Sequence, residues 1–432
     1  MVNNKRYLSK NMYPEGPELV KGRGIEVYDK SGNKFFDLTS QTLNLNLGHN
    51  HPIVTDALNA FFKKKDFPYY SSPRFENKYV CDLSVALAHL APNSPSKVNL
   101  QMCNGSDANE DAFKRARKYY LSKNRLKKAN IVSMLGSHLG VSAETISASG
   151  EHFGKEPYLG GSGNFVFMRA CNTFRRPQAL SIDEYAKTKV DEFKDIVESR
   201  GDISGVITEL VLFDAGILVQ PQTFVKGIER ICNENDITLI VDEVQTAFGW
   251  CGSMFLSSIY KIKPDIITLA KGLTAGFPAL SATVFKEKYD ILEPGTSEYT
   301  FGAQALGCAV AMANIKYLKT SGIMSTVQKK HQLFIKRLTE MKDEYEILGD
   351  VRGIGLILGL EFVKKDGSRD MDIGMKIYRE ALKMGLLVNM PTTDEGKDNV
   401  ISIKPPIVIT EDEINYTMDI LNDSFKSVVK HQ

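Results

Sequence analysis

Lys271 directly follows the apolar run Ile266-Ile267-Thr268-Leu269-Ala270. An ammonium group at the end of a buried strand costs desolvation unless it is paired, or unless it works as a neutral amine that condenses with an aldehyde. At a pKa of about 10.4 a lysine is only about 0.04% neutral near pH 7, equivalent to ~4.6 kcal/mol of protonation free energy. An aldehyde group held covalently on the amine removes that obstacle. Taken alone, Lys271 reads as a lysine that snorkels from a strand end. A second apolar run, Thr238-Leu239-Ile240-Val241, leads into Asp242-Glu243-Val244-Gln245-Thr246. Asp242 therefore sits at the carboxyl end of a buried strand, where open α/β sheets bind ligands. Alone it could be a helix cap or a metal ligand, but no histidine or second carboxylate cluster supports a metal. The third segment is Cys103-Asn104-Gly105-Ser106-Asp107-Ala108-Asn109-Glu110, after which Ala112, Ala116 and Tyr119-Tyr120 continue a helical spacing. Gly105 and Ser106 thus open a helix, and its free N–H groups with the serine hydroxyl make a cradle for phosphate. Alone this too reads as a capped helix without a ligand.

Together the three segments change the reading. A phosphate cradle, a strand-end carboxylate and a strand-end lysine, in that order, meet the needs of pyridoxal 5′-phosphate. Its phosphate must be anchored, its ring nitrogen kept protonated by a carboxylate, and its aldehyde held on a lysine.

The elements that must position these groups are legible in outline. At 432 residues the chain is long enough for two or three domains, at about 150 residues each. Hydrophobic residues make up 43% and charged residues 25%, as in an ordinary globular protein. Lys plus Arg (54) nearly cancels Asp plus Glu (52), which argues against a nucleic-acid partner. No apolar run approaches the ~18 residues of a membrane helix, and the start leads into no signal-peptide core. The six cysteines are scattered without metal spacing, so a reduced, cytoplasmic setting is expected. Residues 21–40 read as a β-hairpin. In the middle of the chain, Ile131–Met134, Gly205–Thr208, Thr238–Val241 and Ile266–Leu269 read as buried strands alternating with amphipathic stretches such as Phe224–Asn235. That alternation predicts an α/β fold with a mostly parallel sheet covered on both faces. Helical segments around 319–345, 371–384 and 411–428 flank strands at Gly355–Phe362 and Val400–Ile403, predicting a smaller α+β domain that the N-terminal hairpin joins. The expected divisions are an N-terminal segment 1–60, a large cofactor domain 61–318 and a C-terminal small domain 319–432.

Ordered motifs across residues 15–425 resemble the class III aminotransferases of the fold-type-I pyridoxal-phosphate enzymes, a group that includes ornithine, acetylornithine and 4-aminobutyrate aminotransferases. The motifs are Gly22-Arg23-Gly24, Gly48-His49-Asn50-His51-Pro52, the Gly105–Glu110 turn, Asp242-Glu243-Val244-Gln245-Thr246, Leu269-Ala270-Lys271-Gly272, Tyr299-Thr300-Phe301-Gly302, Arg352-Gly353-Ile354-Gly355-Leu356 and Pro405-Pro406. The resemblance implies that Lys271 holds the cofactor aldehyde and that Asp242 partners the pyridine nitrogen. It places Gln245 near the ring hydroxyl, Val244 on the buried ring face, and Gly105 and Ser106 at the phosphate. Thr300 would reach the phosphate of a neighbouring subunit, implying a homodimer with shared sites. The implied reaction moves an amino group from a small-molecule donor to an acceptor through pyridoxamine phosphate. His49 and His51 match a structural turn of the family, so no metal is expected.

Several positions depart from the family pattern. An aromatic-His-Gly element is replaced by Ser137-His138-Leu139-Gly140. One register puts His138 at the aromatic, ring-stacking position; the other keeps it as the family's histidine and needs an inserted residue. Ile401-Ser402-Ile403-Lys404-Pro405-Pro406 has Ser402 where amino-acid-using members carry a carboxylate-binding arginine. A serine cannot make the bidentate, charge-assisted pair of a guanidinium. Glu209 resembles that arginine's partner and is expected to be a free carboxylate near the substrate. Gly249-Trp250-Cys251-Gly252 and Gly302-Ala303-Gln304-Ala305 are also altered. On an extended segment Ser402 and Lys404 share a face, with α-carbons about 6.6 Å apart. If Lys404 turns inward, its ammonium still attracts a carboxylate; if it points to solvent, an unpaired Glu209 opposite Ser402 suits a diamine, ω-amino or amino-sugar substrate. The proline pair favours the solvent-facing alternative. The competing readings are an amino-acid racemase, epimerase or aminomutase on the same cofactor, and a non-catalytic protein that has kept the fold.

Overall fold

The structure, a computed structural model, describes residues 16–65, 67, 72–94, 96–150, 163–390 and 399–430. The first 15 residues of the expected N-terminal segment lie outside these. Seven strands form one large sheet in the order Ser96–Met102, Ser281–Lys286, Ile266–Leu269, Thr238–Asp242, Ile203–Glu209, Asn130–Leu135, Phe165–Arg169. Ile203–Glu209, Thr238–Asp242 and Ile266–Leu269 are buried at every residue, as their continuous β-branched runs require of strands covered on both faces. Helices Gly105–Ser122 and Gln222–Glu234 pack against the sheet. All pairings are parallel except those of Ser281–Lys286, which runs antiparallel to both neighbours. The reason is local. No crossover helix separates it from Ile266–Leu269, only a connection opening with the 3₁₀ turn Lys271–Thr274, and so short a link returns the chain antiparallel. The expected α/β fold, with a mostly parallel sheet, is the fold observed.

Residues 19–37 meet the C-terminal part of the chain. Strands Leu19–Arg23, Glu26–Asp29 and Lys34–Asp37 form an antiparallel meander that Leu386–Leu387 extends in parallel. Leu348–Ile354, Ile357–Phe362 and Val400–Ile403 form a second antiparallel sheet, in which Gly359 faces Ser402. Helices Val327–Glu344, Met371–Lys383 and Glu411–Val429 cover it. The helical stretch expected around 319–345 is broken where Gly322 takes φ +74, ending Ala305–Thr320 before Val327–Glu344 begins. One apolar cluster runs from Val206 and Leu269 through Trp250 and Leu318 to Leu358 and Ile403, so both sheets share a continuous core.

A buried ion cluster ties the second sheet to the large one. Glu361 is fully buried; Arg175 donates to its Oε1 from Nε (2.9 Å) and Nη2 (2.6 Å), and Arg352 Nη1 donates to its Oε2 at 2.7 Å. Arg352 also donates to the Gly216 carbonyl at 2.6 Å. Burial opposes the Glu361 charge, but the Arg352 and Arg175 guanidiniums outweigh it and hold the carboxyl below its ordinary value of 4.5. A group depressed in the folded state stabilises above its unfolded pKa and loses that contribution as pH falls. Glu361→Gln should therefore cost about 1.5–3 kcal/mol near neutral pH, because it removes the charge that Arg175 and Arg352 share and leaves Arg352 only Asp350, 2.8 Å away. In thermal melts the gap from wild type should narrow below pH 4.5; equal melting temperatures at neutral pH would contradict the cluster's role.

Candidate active site

Lys271 is the first residue beyond Ile266–Leu269 and Ala270, and it adopts φ +42, a left-handed conformation unfavourable for a residue with a Cβ. The turn is over-determined from two sides. Asn314, on helix Ala305–Thr320, donates from Nδ2 to the carbonyls of Gly272 (2.7 Å) and Leu273 (3.1 Å). Trp250 closes the other side, since a Cβ on Gly272 would lie 2.8 Å from its ring. The side chain of Lys271 is thereby aimed into a cavity of about 400 Å³.

Asp242, at the end of the neighbouring strand, lines the same cavity and is 5% exposed. Its Oδ2 accepts from Asn109 Nδ2 at 2.7 Å and its Oδ1 from the Val244 N–H at 2.9 Å. Burial raises the Asp242 carboxyl, with Asn109, Val244, Lys271 and His138 opposing. Burial lowers the Lys271 amine, opposed by Asp214, Asp242 and Glu209. The next residue, Glu243, shapes the turn: its buried carboxylate accepts from the N–H groups of Leu256 (2.7 Å) and Ser257 (2.8 Å) and from Thr246 Oγ1 (3.0 Å). Val244 and Gln245, held by that turn, also line the cavity.

Helix Gly105–Ser122 begins at the cavity. Asn104 and Asp107 form a capping box, which uses the Asp107 N–H and leaves those of Gly105 and Ser106 without an acceptor among the described residues. Gly105 lies against Val244, 3.1 Å from where its Cβ would be. The Gly136–Ser142 loop covers the helix start, with the Val141 N–H donating to Ser106 Oγ at 3.1 Å. Asn109, on the fourth residue after the helix opens, links both halves: its Nδ2 also donates to the Leu139 carbonyl at 2.8 Å.

His138 lines the cavity while Leu139 is buried in the core. The His138 N–H donates to Glu209 Oε1 at 2.9 Å, and its Nδ1 lies 4.0 Å from Asp214 Oδ2. Glu209 is 3% exposed and is not the free carboxylate expected. It pairs in register with Asp242 at the carboxyl end of its strand, where the crossing 136–139 loop needs acceptors for its backbone donors.

The expectation that Lys404 points to solvent is also overturned, because the residue is only 6% exposed. Its backbone is clamped, with the N–H donating to the Leu38 carbonyl at 2.6 Å and the carbonyl accepting from Ser40 Oγ at 2.7 Å. Trp250 Nε1 donates to the Pro405 carbonyl at 3.1 Å. No bend at the proline pair is needed: strand alternation alone sends Lys404 toward Phe213, with Nζ 5.9 Å from the ring centroid. Trp250, one of the family departures, thus braces both the Lys271 turn and the segment after Lys404. Ser402 is fully buried, and its Oγ has no hydrogen-bond partner among the described residues.

Thr300 does not join the others. It is exposed on a loop held to the edge strand by Tyr299 N–H to Gln101 O (3.0 Å) and Ala303 N–H to Leu100 O (2.7 Å). His49 pairs with Asp37 at 2.9 Å, and His51 caps helix Pro52–Phe62. A larger cleft of about 890 Å³, walled by Arg74, Asn99 and Glu298, contains none of the convergent groups. Asn109, Asp214 and Asn314 escaped the sequence reading. Asn109 lay inside the quoted helix-start motif, and only its spacing from Gly105 hinted that it faces the same way.

The helix start, Asp242 and Lys271 fit pyridoxal phosphate: uncommitted N–H donors for phosphate, a buried carboxylate for the ring nitrogen and an amine for the aldehyde. A family profile described as aminotransferase class-III matches residues 10–425. The chain is 31% identical over 430 residues to an acetylornithine aminotransferase of Caldanaerobacter subterraneus, covering 98% of both. It is 29% identical over 419 residues to a leucine/methionine racemase of Thermococcus litoralis, covering 95% of this chain and 90% of that one. A Bacillus anthracis aminotransferase of solved structure superposes with a TM-score of 0.89 at 25% identity, covering 98% of this chain and 97% of that one. With the profile spanning every segment that builds the cavity, the chain belongs to the class III aminotransferases and is a pyridoxal-phosphate-dependent transaminase.

Proposed function

We propose that Lys271, Asp242, Val244, Gln245, His138 and the Gly105–Ser106 helix start hold the cofactor, and that Lys271 moves the proton at the reacting carbon of the substrate. The observation that carries this is the convergence of all of them on one cavity. When bound, the cofactor supplies an aldehyde that takes up the amino group and a ring that withdraws electrons. The chain's own groups do the rest. The helix N–H groups and Ser106 fix the phosphate, Asp242 keeps a proton on the ring nitrogen, and His138 lies against the cavity wall beside Glu209. The Lys271 amine, lowered by burial, is poised to accept a proton as well as to return it. The donor is an amine or amino acid, including ω-amino compounds, and the acceptor a keto acid or other carbonyl.

We place the enzyme in the cytoplasm as a homodimer. Supporting the first are six free cysteines, four of them buried, and the lack, among the described residues, of any helix long and apolar enough to cross a membrane. Supporting the second is the exposed Thr300 beside Phe301, which is 69% exposed; neither lines its own chain's cavity. A threonine there can serve a phosphate only in a neighbouring subunit.

Racemisation is the second reading, favoured by the racemase relative. Supplied with a donor alone, a transaminase converts one equivalent per site and stops until an acceptor is added, whereas a racemase continues to turn over. One equivalent is expected here, with Lys271→Ala slower by about 10²–10⁴-fold; continued turnover on donor alone would contradict amino transfer. Shared sites are tested by mixing Lys271→Ala chains with Thr300→Ala chains. A mixed dimer then holds one doubly lesioned site and one intact site, so activity should exceed that of either parent. Simple averaging of the two parents would contradict sharing.

A further inference from the structure

Helix Gly105–Ser122 begins at the reaction cavity and, at about 1.5 Å per residue, ends roughly 27 Å away. Its far half and the loop after it gather cations: Lys114, Arg117 and Lys118 on the helix, then Lys123, Arg125, Lys127 and Lys128. The chain as a whole carries only +2, so this is a local concentration of charge. Two carboxylates answer part of it. Glu144 pairs with Arg117, and Asp236 pairs with Lys123 and Arg125, both at 3.3 Å. Lys118 and Lys127 make no ion pair among the described residues, and the Lys128 ammonium meets the Tyr120 ring, 5.0 Å from its centroid. Burial lowers the Lys128 ammonium and Arg125 adds to this; Asp236 opposes it and Lys123 adds again. Two leucines stand in water among these cations, Leu121 at 50% exposure and Leu126, in the loop, at 70%. With Leu292 they line a groove of about 380 Å³ bordered by Lys114, Lys118 and Lys128; one carboxylate, Glu293, also lines it. The loop enters strand Asn130–Leu135 at its amino end, whereas Glu209, Asp242 and Lys271 lie at the carboxyl ends of their strands. The cationic surface and the reaction cavity are therefore at opposite ends of the sheet.

Protruding apolar side chains ringed by unpaired lysines suit an anionic membrane surface, where cations meet acidic headgroups and the apolar groups enter the acyl boundary. We propose that this surface docks the enzyme on anionic phospholipid, with Leu121 and Leu126 inserted and Lys118, Lys127 and Lys128 against the headgroups. The contact is peripheral, since no helix among the described residues is long and apolar enough to cross a membrane. The cytoplasmic leaflet carries such lipids, in keeping with the location proposed above. Single-stranded nucleic acid fits less well, because its bases stack on exposed aromatic rings, and Tyr119 and Tyr120 are buried. With the cavity at the other end of the sheet, docking leaves the entry of substrate unobstructed. Exposed charges are screened by salt, so the bound fraction should fall as ionic strength rises.

The test is co-sedimentation of the holoenzyme with vesicles of phosphatidylcholine alone and of phosphatidylcholine containing about one-third phosphatidylserine. Binding is expected to the acidic vesicles only, and the paired change Lys118→Gln with Lys127→Gln should weaken it at least about tenfold. Leu126→Ser, which leaves every charge in place, should weaken it by about fivefold or more. Both variants should keep the wild-type melting temperature and rate of amino transfer, because the altered side chains touch neither the cavity nor the core. No binding to the acidic vesicles, equal binding to both kinds of vesicle, or wild-type binding by either variant would each overturn the proposal. Tighter binding of poly-uridylate than of acidic vesicles, lost in the same lysine variant, would also overturn it and make the surface a nucleic-acid site.

Discussion

The site depends on holding one carboxylate, Asp242, where burial opposes its charge. At 5% exposure the group is raised above the ordinary aspartate range even with one hydrogen bond to each oxygen. A carboxylate in that state gains more from a neighbouring cation than one in water, because the screening that weakens charge pairs is missing. The same cavity lowers Lys271. Burial thus shifts the two groups in opposite directions from their ordinary values, as is common where side chains do chemistry.

Most of the surrounding structure serves to keep these two groups in place. Glu243 is fully buried to hold the turn after Asp242, and Asn109 spans from that carboxylate to the covering loop. Lys271 keeps its left-handed backbone because Asn314 and Trp250 leave the turn no alternative. The antiparallel strand Ser281–Lys286 belongs to the same arrangement, for the short connection that reverses the chain is also the one that presents Lys271.

The groups with chemistry were the most legible part of the sequence. Lys271, Asp242 and the Gly105–Ser106 helix start each sit at the end of an element whose hydrophobic period is plain, so their approach followed from element type and the strand-end rule. The strands Thr238–Asp242 and Ile266–Leu269 were read nearly to their boundaries for the same reason. What stayed hidden depends on contacts between distant segments. Nothing local marks Asn314 as the holder of the Lys271 turn, 43 positions away, or the 136–139 loop as the donor to Glu209. The orientation of Lys404 was misjudged because proline geometry constrains the backbone, whereas the clamp by Leu38 and Ser40, more than 360 residues earlier, decides where the side chain goes. The reversal of Ser281–Lys286 was equally invisible to a reading built on strand–helix alternation.

The central claim, that buried Asp242 keeps a proton on the ring nitrogen of the cofactor, is tested most directly by nitrogen-15 NMR. The protein would be reconstituted with pyridoxal phosphate labelled at that nitrogen, and its chemical shift followed between pH 6 and 9. The account predicts the shift of a protonated pyridinium throughout, because the carboxylate and the ring share one proton that neither releases to solvent. A shift typical of a neutral pyridine in the wild-type protein near pH 7 would contradict it.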